Sequence, residues 1–426
     1  MTATSEVIVA LASREAGDAG RFGPKAANLA RLGQAGLPIP GGFCVDARAY
    51  RMQVAWLGLE ETARSVNSTD MVTARRAALA MKLGLMDQPI MPQLLEPLLE
   101  ARRAMVAATG ASTVVRSSAL VEDRFGSSFA GQFDSYLGLE TEAEFVTAVR
   151  SCWAALWSTR VLRYMATHDA SPADTAMAIL VQPLVAARVA GGGLSRTADD
   201  DMVLNATWGL GSSVAQGEVV PERIVLTRDG AVRSSAAGRK FNRIACAHGR
   251  RGAPRALFSE PCLDDEQAME LGRLLRKTEE VMAMPVEIEW ARDDGGFKLL
   301  QARPLHLEPA HVPDEIWLRH PGLRGQPAGV GWGTGRACVV SCECELSRIA
   351  PGDILVTKVA GPALGQMLSR VAGVVAELGG STSHLASLAR ERGIPMVLGV
   401  LDATQRIPEG AQVAVDGVAG VVRWMR

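Results

Sequence analysis

Gly379-Gly380-Ser381-Thr382-Ser383-His384-Leu385-Ala386-Ser387-Leu388-Ala389-Arg390 is the stretch on which the fold turns. Before it, Val371-Ala372-Gly373-Val374-Val375 reads as a buried strand. The paired glycines mark a tight turn, and the hydroxyl residues after them are helix N-cap candidates. The predicted order is strand, turn, histidine, helix. It sets the His384 imidazole beside the free N–H groups of a helix start, which favour a phosphate. An imidazole there is suited to carry a phosphoryl group. The same pattern also describes a packed histidine behind an ordinary capped turn, and spacing alone leaves both readings open.

The rest of the chain sets bounds. Its 426 residues suffice for two to four domains. A net charge of −1 gives no reason to expect nucleic acid or an anionic membrane as partner. Apolar residues make up 48 %, yet none of their runs reaches the ~18 residues of a membrane span. The first residues, Met1-Thr2-Ala3-Thr4-Ser5-Glu6, lack the basic-then-apolar order of a signal peptide, so a cytoplasmic protein is expected. Asn205-Ala206-Thr207 is then only a formal glycosylation triplet. The seven cysteines are scattered without a Cys-x-x-Cys pair, which argues for reduced thiols rather than a zinc or disulfide framework. Cys342-Glu343-Cys344 does not close a metal site without further ligands.

Periodicity divides the chain. Residues 25–36 read as a helix stopped by Gly36 and the prolines after it. Residues 74–110 and 265–282 have helical spacing, 176–182 is a buried strand, and 286–290 with 297–301 alternate like a hairpin. Residues 306–327 carry four prolines and little periodicity, as a linker does. Strands are expected near 335–340, 353–356, 373–376, 396–399 and 412–415.

Two cations stand where a polyphosphate would be held. Lys25 is at a helix start in Gly23-Pro24-Lys25, and Arg116 ends the apolar strand Val114-Val115-Arg116 with Ser117 and Ser118 beside it. An arginine fork binds phosphate oxygens bidentately. Taken singly, a surface lysine and a strand-end arginine paired to a carboxylate explain the same residues.

Taken together the motifs resemble the phosphoenolpyruvate synthase and pyruvate phosphate dikinase family over nearly the whole chain. The matching runs, in family order, are Gly23-Pro24-Lys25, the 114–132 stretch ending Ser128-Phe129-Ala130-Gly131-Gln132, Val181-Gln182-Pro183-Leu184-Val185, Trp208-Gly209-Leu210-Gly211, Ile288-Glu289-Trp290, Leu300-Gln301-Ala302-Arg303-Pro304, and the histidine run with Ala389-Arg390-Glu391 and Gly393-Ile394-Pro395. The resemblance implies an α/β (α+β) architecture. An ATP-grasp nucleotide-binding region at 1–307 has two subdomains split near 185–200. A linker at 308–327 and a swivelling phosphohistidine β/α domain at 328–426 follow. It implies that ATP and Mg²⁺ bind. Lys25, Arg116 and Arg303 would hold the triphosphate, with Gln132 near it under the 126–131 cover. Glu289 and Gln301 would place oxygens on Mg²⁺. Gln182 and Leu184 would lie at the adenine. His384 would be the phosphoryl carrier, with Thr382 orienting it or touching the phosphoryl group; the other reading makes Thr382 the helix N-cap.

The chain departs from the pattern at Pro24, at Glu287 where Asp is common, at Ser212, at Leu385-Ala386-Ser387, and at 190–197, where a loop near the nucleotide is expected. The implied reaction is attack of His384 on the β-phosphorus of ATP with release of AMP, then loss of the γ-phosphoryl group. A free imidazole, with a pKa of about 6.5, is largely neutral and nucleophilic at neutral pH. Neither the pyruvate barrel nor the rifampin-binding domain of other members is recognisable in these 426 residues. The expected acceptor is therefore a specialised small molecule bound by this chain or by a partner subunit. The other reading is a phosphocarrier that passes its phosphate to another protein.

Overall fold

Asp18 starts the first long helix. Its Oδ1 accepts from the Gly20 N–H at 2.9 Å, and the helix runs Ala19–Gln34 in the computed structural model of the chain. The structure describes residues 7–67, 69–122, 129–166, 168, 170–238, 260–307, 317, 319–341, 343–359 and 361–425, without the side chains of 343, 344, 362 and 363. Residues 126–128 of the expected phosphate cover, and Cys342, lie outside the described residues.

The first helix begins six residues before its predicted start because it is two helical pieces joined at Gly23. Gly23 has φ 74° and ψ 157°, and Pro24 opens the second piece. The Gly-Pro departure therefore keeps a sharp turn before Lys25. A Cβ on Gly23 would lie 2.4 Å from the Ser118 carbonyl oxygen, so the chain needs glycine there both for its backbone and for space. The Ala26 N–H then donates to Ser118 Oγ at 3.2 Å.

The chain divides into two compact units. The first comprises Met1–Ala186 together with Lys298–Arg303. Its five-stranded sheet has the order Ile8–Ala10, Phe43–Val45, Met177–Pro183, Thr113–Ala119, Ser135–Leu139, antiparallel throughout. Thr113–Ala119 is buried at all seven positions. The 74–110 stretch forms two helices, Met71–Asp87 and Pro92–Thr109. Pro92 is a helix-start residue and Met91 before it has a non-helical ψ of 126°, so one helix does not run through.

The second unit is built from Ala187–Ala245, Gly249–Phe297 and Pro304–Arg426. It holds an antiparallel sheet in the order Val286–Asp293, Val189–Leu194, Met202–Trp208, Glu222–Leu226, Val232–Ala236. The loop expected at 190–197 is a correction: its first part is the strand Val189–Leu194, buried at all six positions. Gly191-Gly192-Gly193 is strand here because the neighbours leave no room for side chains. A Cβ at Gly191 would lie 1.8 Å from the Asn205 carbonyl oxygen. The helix Asp265–Met282, with a capping box between Asp264 and Gln267, covers one face of this sheet through Leu271 and Leu275.

The rest of the second unit is an eight-stranded mixed sheet. Its middle strands, Trp332–Val340, Ile354–Thr357, Gly373–Ala376 and Met396–Leu398, run parallel, as strand–helix–strand crossovers require. Strands Gly322–Arg324 and Gln326–Pro327 form its two edges, although both lie in the stretch expected to be linker. Sequence reading also missed Val421–Met425. Trp424, Val413, Val415, Val375 and Val397 share one core.

Gly23→Ala is expected to destabilise the first unit by about 1–3 kcal/mol from backbone strain alone. Urea denaturation of variant and parent measures it. An unchanged midpoint would mean that the kink at Gly23 is not held.

Candidate active site

The residues expected at one site fall into two groups, one in each unit. Lys25, Arg116, Gln132, Gln182, Leu184, Gln301 and Arg303 belong to the first, and Glu289, Thr382 and His384 to the second.

In the first unit, buried backbone positions fix the cations. Arg116, expected at a strand end, is instead the middle residue of Thr113–Ala119, because the strand continues through Ser117 and Ser118, and it is 9 % exposed. It donates from Nη1 to the Leu300 carbonyl at 2.5 Å and from Nη2 to Gln301 Oε1 at 2.9 Å. The Lys298–Arg303 segment is tied in by Leu299 N–H to the Pro38 carbonyl at 2.8 Å and by Asn28 Nδ2 to the Ala302 carbonyl at 3.2 Å. That brings Gln301 and Arg303, both buried, into the same unit as Arg116 and Lys25. Lys25 Nζ donates to the Ser117 carbonyl at 2.8 Å and lies 3.4 Å from the Glu122 carboxylate. Glu122 lies inside the 114–132 stretch, and its carboxylate balances the lysine in this structure.

The outlying members of this group have structural partners. Gln132 donates to the Ala130 carbonyl at 3.3 Å, and its own carbonyl accepts twice from Arg160, at 3.1 and 2.7 Å. Gln182 donates to the Pro40 carbonyl at 3.3 Å. The Leu184 N–H donates to the Ser112 carbonyl at 2.8 Å, so an adenine contact would fall to other backbone groups nearby. Burial pushes the Cys44 and Cys152 thiols up to about 12, which leaves both protonated and poor nucleophiles.

In the second unit, strand register places the glutamates. Glu287 is opposite Leu194, Glu289 is opposite Gly192, Gly192 is opposite Asn205, and Asn205 is opposite Arg223. Residues opposite one another share a sheet face. Glu287, Glu289, Gly192, Asn205 and Arg223 therefore lie on one face. Ile288, Gly193 and Leu204 lie on the other, toward the helix.

The histidine segment is seated on the glutamate face. Ser383, not Thr382, is the N-cap of the helix His384–Glu391, its Oγ accepting from the Ala386 N–H at 3.3 Å. Thr382 Oγ1 and Ser381 Oγ donate to Asn205 Oδ1 at 3.1 and 2.8 Å. A Cβ on Gly192 would fall 2.5 Å from the Thr382 Cβ, so this glycine lets the histidine loop reach the sheet. Asn205 is fully buried in a strand, and its amide anchors the loop instead of offering a glycosylation point. Gln326, also not anticipated, accepts from the Ser381 N–H at 3.3 Å and donates to the Pro221 carbonyl at 3.2 Å. No spacing rule pairs residues 121 or 176 positions apart.

Behind the loop lies a buried ion pair. Arg390 Nη2 donates to Glu287 Oε2 at 2.8 Å, with side chains 6 % and 5 % exposed. Ser387 Oγ lies 2.8 and 3.1 Å from the two Glu287 oxygens, and Arg390 Nη1 donates to the Ser381 carbonyl at 2.7 Å. Two departures noted in the sequence, Glu287 and Ser387, thus touch one another.

The chain carries antiparallel sheets in both units and, in the second, a mixed sheet whose crossover helix starts at His384. Residues 19–316 match the family described as pyruvate phosphate dikinase, AMP/ATP-binding domain, and residues 349–420 match the PEP-utilising enzyme mobile domain. The chain belongs to this pyruvate phosphate dikinase family. It is 30 % identical over 420 residues to the probable phosphoenolpyruvate synthase of Methanothermobacter thermautotrophicus, covering 95 % of this chain and 61 % of that protein. It is 30 % identical to the phosphoenolpyruvate synthase of Aeropyrum pernix, covering 94 % and 56 %, and 29 % identical to that of Escherichia coli, covering 95 % and 55 %. The chain therefore spans little more than half the length of these curated relatives. Among the described residues, no helix is long and apolar enough to cross a membrane.

Arg390→Ala is expected to cost about 3–5 kcal/mol, because it leaves Glu287 charged and buried. The double variant Glu287→Leu/Arg390→Met is expected to recover most of that loss. Chemical denaturation of the three proteins decides; a single-variant cost under about 1 kcal/mol would show the pair to be solvated.

Proposed function

We propose that this chain is an ATP-dependent dikinase-type phosphotransferase that loads a phosphoryl group onto His384. The observation that carries the proposal is the seating of the histidine loop on the sheet face that bears Glu289, through Asn205 and Gly192. The matched AMP/ATP-binding region supports ATP as the donor.

In this reading Lys25, Arg116 and Arg303 neutralise the triphosphate, and Lys25 exchanges its Glu122 partner for phosphate oxygens. Positioning and charge neutralisation supply most of the catalysis in phosphoryl transfer. Nε2 of neutral His384 attacks the β-phosphorus. A nitrogen–phosphorus bond forms, the bond from the β-phosphorus to its bridging oxygen toward the α-phosphate breaks, and that oxygen leaves with AMP. The γ-phosphoryl group then departs to water or phosphate, leaving a single phosphoryl group on the ring. Glu289 in the second unit and Gln301 in the first each carry an oxygen of the kind Mg²⁺ takes, a carboxylate and a carboxamide. An ion bound with the nucleotide would offset phosphate charge. The phosphoryl group next passes to an acceptor, read here as a small molecule. A partner protein that receives it, or that supplies the acceptor site, is the second reading.

Incubation with Mg-ATP is expected to yield AMP and an acid-labile phosphoprotein modified at His384. The His384→Ala variant is expected to bind ATP while forming neither. AMP formation by that variant at the parent rate would overturn the assignment. AMP that accumulates only after a second protein is added would decide for the partner reading.

A further inference from the structure

The second unit contains a cavity of about 430 Å³ on the same sheet face, beginning at Leu194, the cross-strand neighbour of Glu287. Its floor is apolar, from Leu194, Val203, Val225 and Leu305. Its walls carry arginines from two parts of the unit. Arg223 and Arg233 come from the glutamate sheet, Arg196 follows its strand Val189–Leu194, Arg390 comes from the helix His384–Glu391 and is held by Glu287, and Arg324 comes from the edge strand Gly322–Arg324, which pairs with Val421–Met425. Ser381, three residues before His384, also lines it.

Most of these charges are balanced. Arg196 is held by Glu279 at 2.9 Å, and Arg233 by Asp201 at 2.6 Å. Arg223 and Arg324 have no carboxylate within ion-pair distance among the described residues. Nε of Arg223 is buried without a hydrogen-bond partner there. Desolvation pulls the Arg223 guanidinium below its ordinary range, and the pull of nearby Asp201 does not restore it. The carboxylates at the cavity are Asp201, already engaged by Arg233, and the exposed Asp199. An uncompensated, half-buried guanidinium is costly unless something pairs with it.

We propose that this cavity is a binding site for a small polyanion, a phosphorylated or polycarboxylated metabolite, held between Arg223 and Arg324. Its occupant bridges the glutamate sheet to the sheet that carries His384, and so favours the docked arrangement. The proposal does not rest on the catalytic reading, because binding and stability are measured without turnover.

The test is calorimetric titration with inorganic pyrophosphate, which can also occupy the triphosphate-holding residues of the first unit. It is therefore run in a Lys25→Met background. Pyrophosphate binding is expected to persist in that background, to raise the melting temperature, and to weaken about tenfold or more in both Arg223→Met and Arg324→Gln. Ligand-free Arg223→Met is expected to melt no lower than its parent, since a charge without a partner is removed. No binding in the Lys25→Met background, or binding unchanged by both arginine variants, would overturn the proposal. So would a destabilised Arg223→Met combined with normal binding by Arg324→Gln, a solvent-exposed position whose replacement spares the core.

Discussion

The buried Arg390–Glu287 pair, with Ser387 on the same carboxylate, is the interaction on which the rest of the second unit depends. Desolvating two charges costs several kcal/mol, and the pair repays that only because its hydrogen bonds are nearly all made. Arg390 spends its second nitrogen on the Ser381 carbonyl. One guanidinium therefore fixes the helix, the turn before it, and the glutamate strand. A hydrophobic contact of equal area would hold the surfaces together but would not set the loop's register. The ion pair ties the position of His384 to the strand that carries Glu289, two residues beyond Glu287.

The two units divide the chemistry. The first holds Lys25 against the Ser117 carbonyl and the Glu122 carboxylate, and Arg116 against the Leu300 carbonyl and Gln301. The second holds the histidine on a sheet face lined by glutamate and asparagine. Gly192 and Gly23 make the same kind of contribution in different places. Each removes a Cβ where another chain segment approaches within 2.5 Å. In one case that segment carries Thr382, and in the other it carries Ser118 beside Arg116.

Much of this was legible before the structure. The helix Asp265–Met282 matches its predicted span because its capping box and its periodicity agree. The strand before His384 and the helix after it stand where the glycine turn put them. The misreadings have physical causes. The loop at 190–197 was expected from the resemblance, and the three glycines do not correct it, because propensity cannot register that strands on both sides leave no room for side chains. The other reading of Thr382, as the helix cap, rested on its residue type, which Ser383 shares. Only the path of the chain gives the cap to Ser383 and frees Thr382 for Asn205. The 322–327 stretch looked like linker because its prolines and glycines hide edge strands, where a missing N–H is tolerated.

By itself the sequence determined the kind of protein: a nucleotide-binding region with lysine, arginine and glutamate at spaced motifs, followed by a histidine at a helix start. Those signals are local, since turns, caps and strand ends are written in neighbouring residues. The tertiary structure alone decided which distant residues meet. Asn205 and Gln326 reach the histidine loop, Glu287 meets Ser387 and Arg390, and Arg223 and Arg324 line one cavity. These pairings are set by strand register and by packing between segments more than fifty residues apart. No property of either residue on its own carries that information.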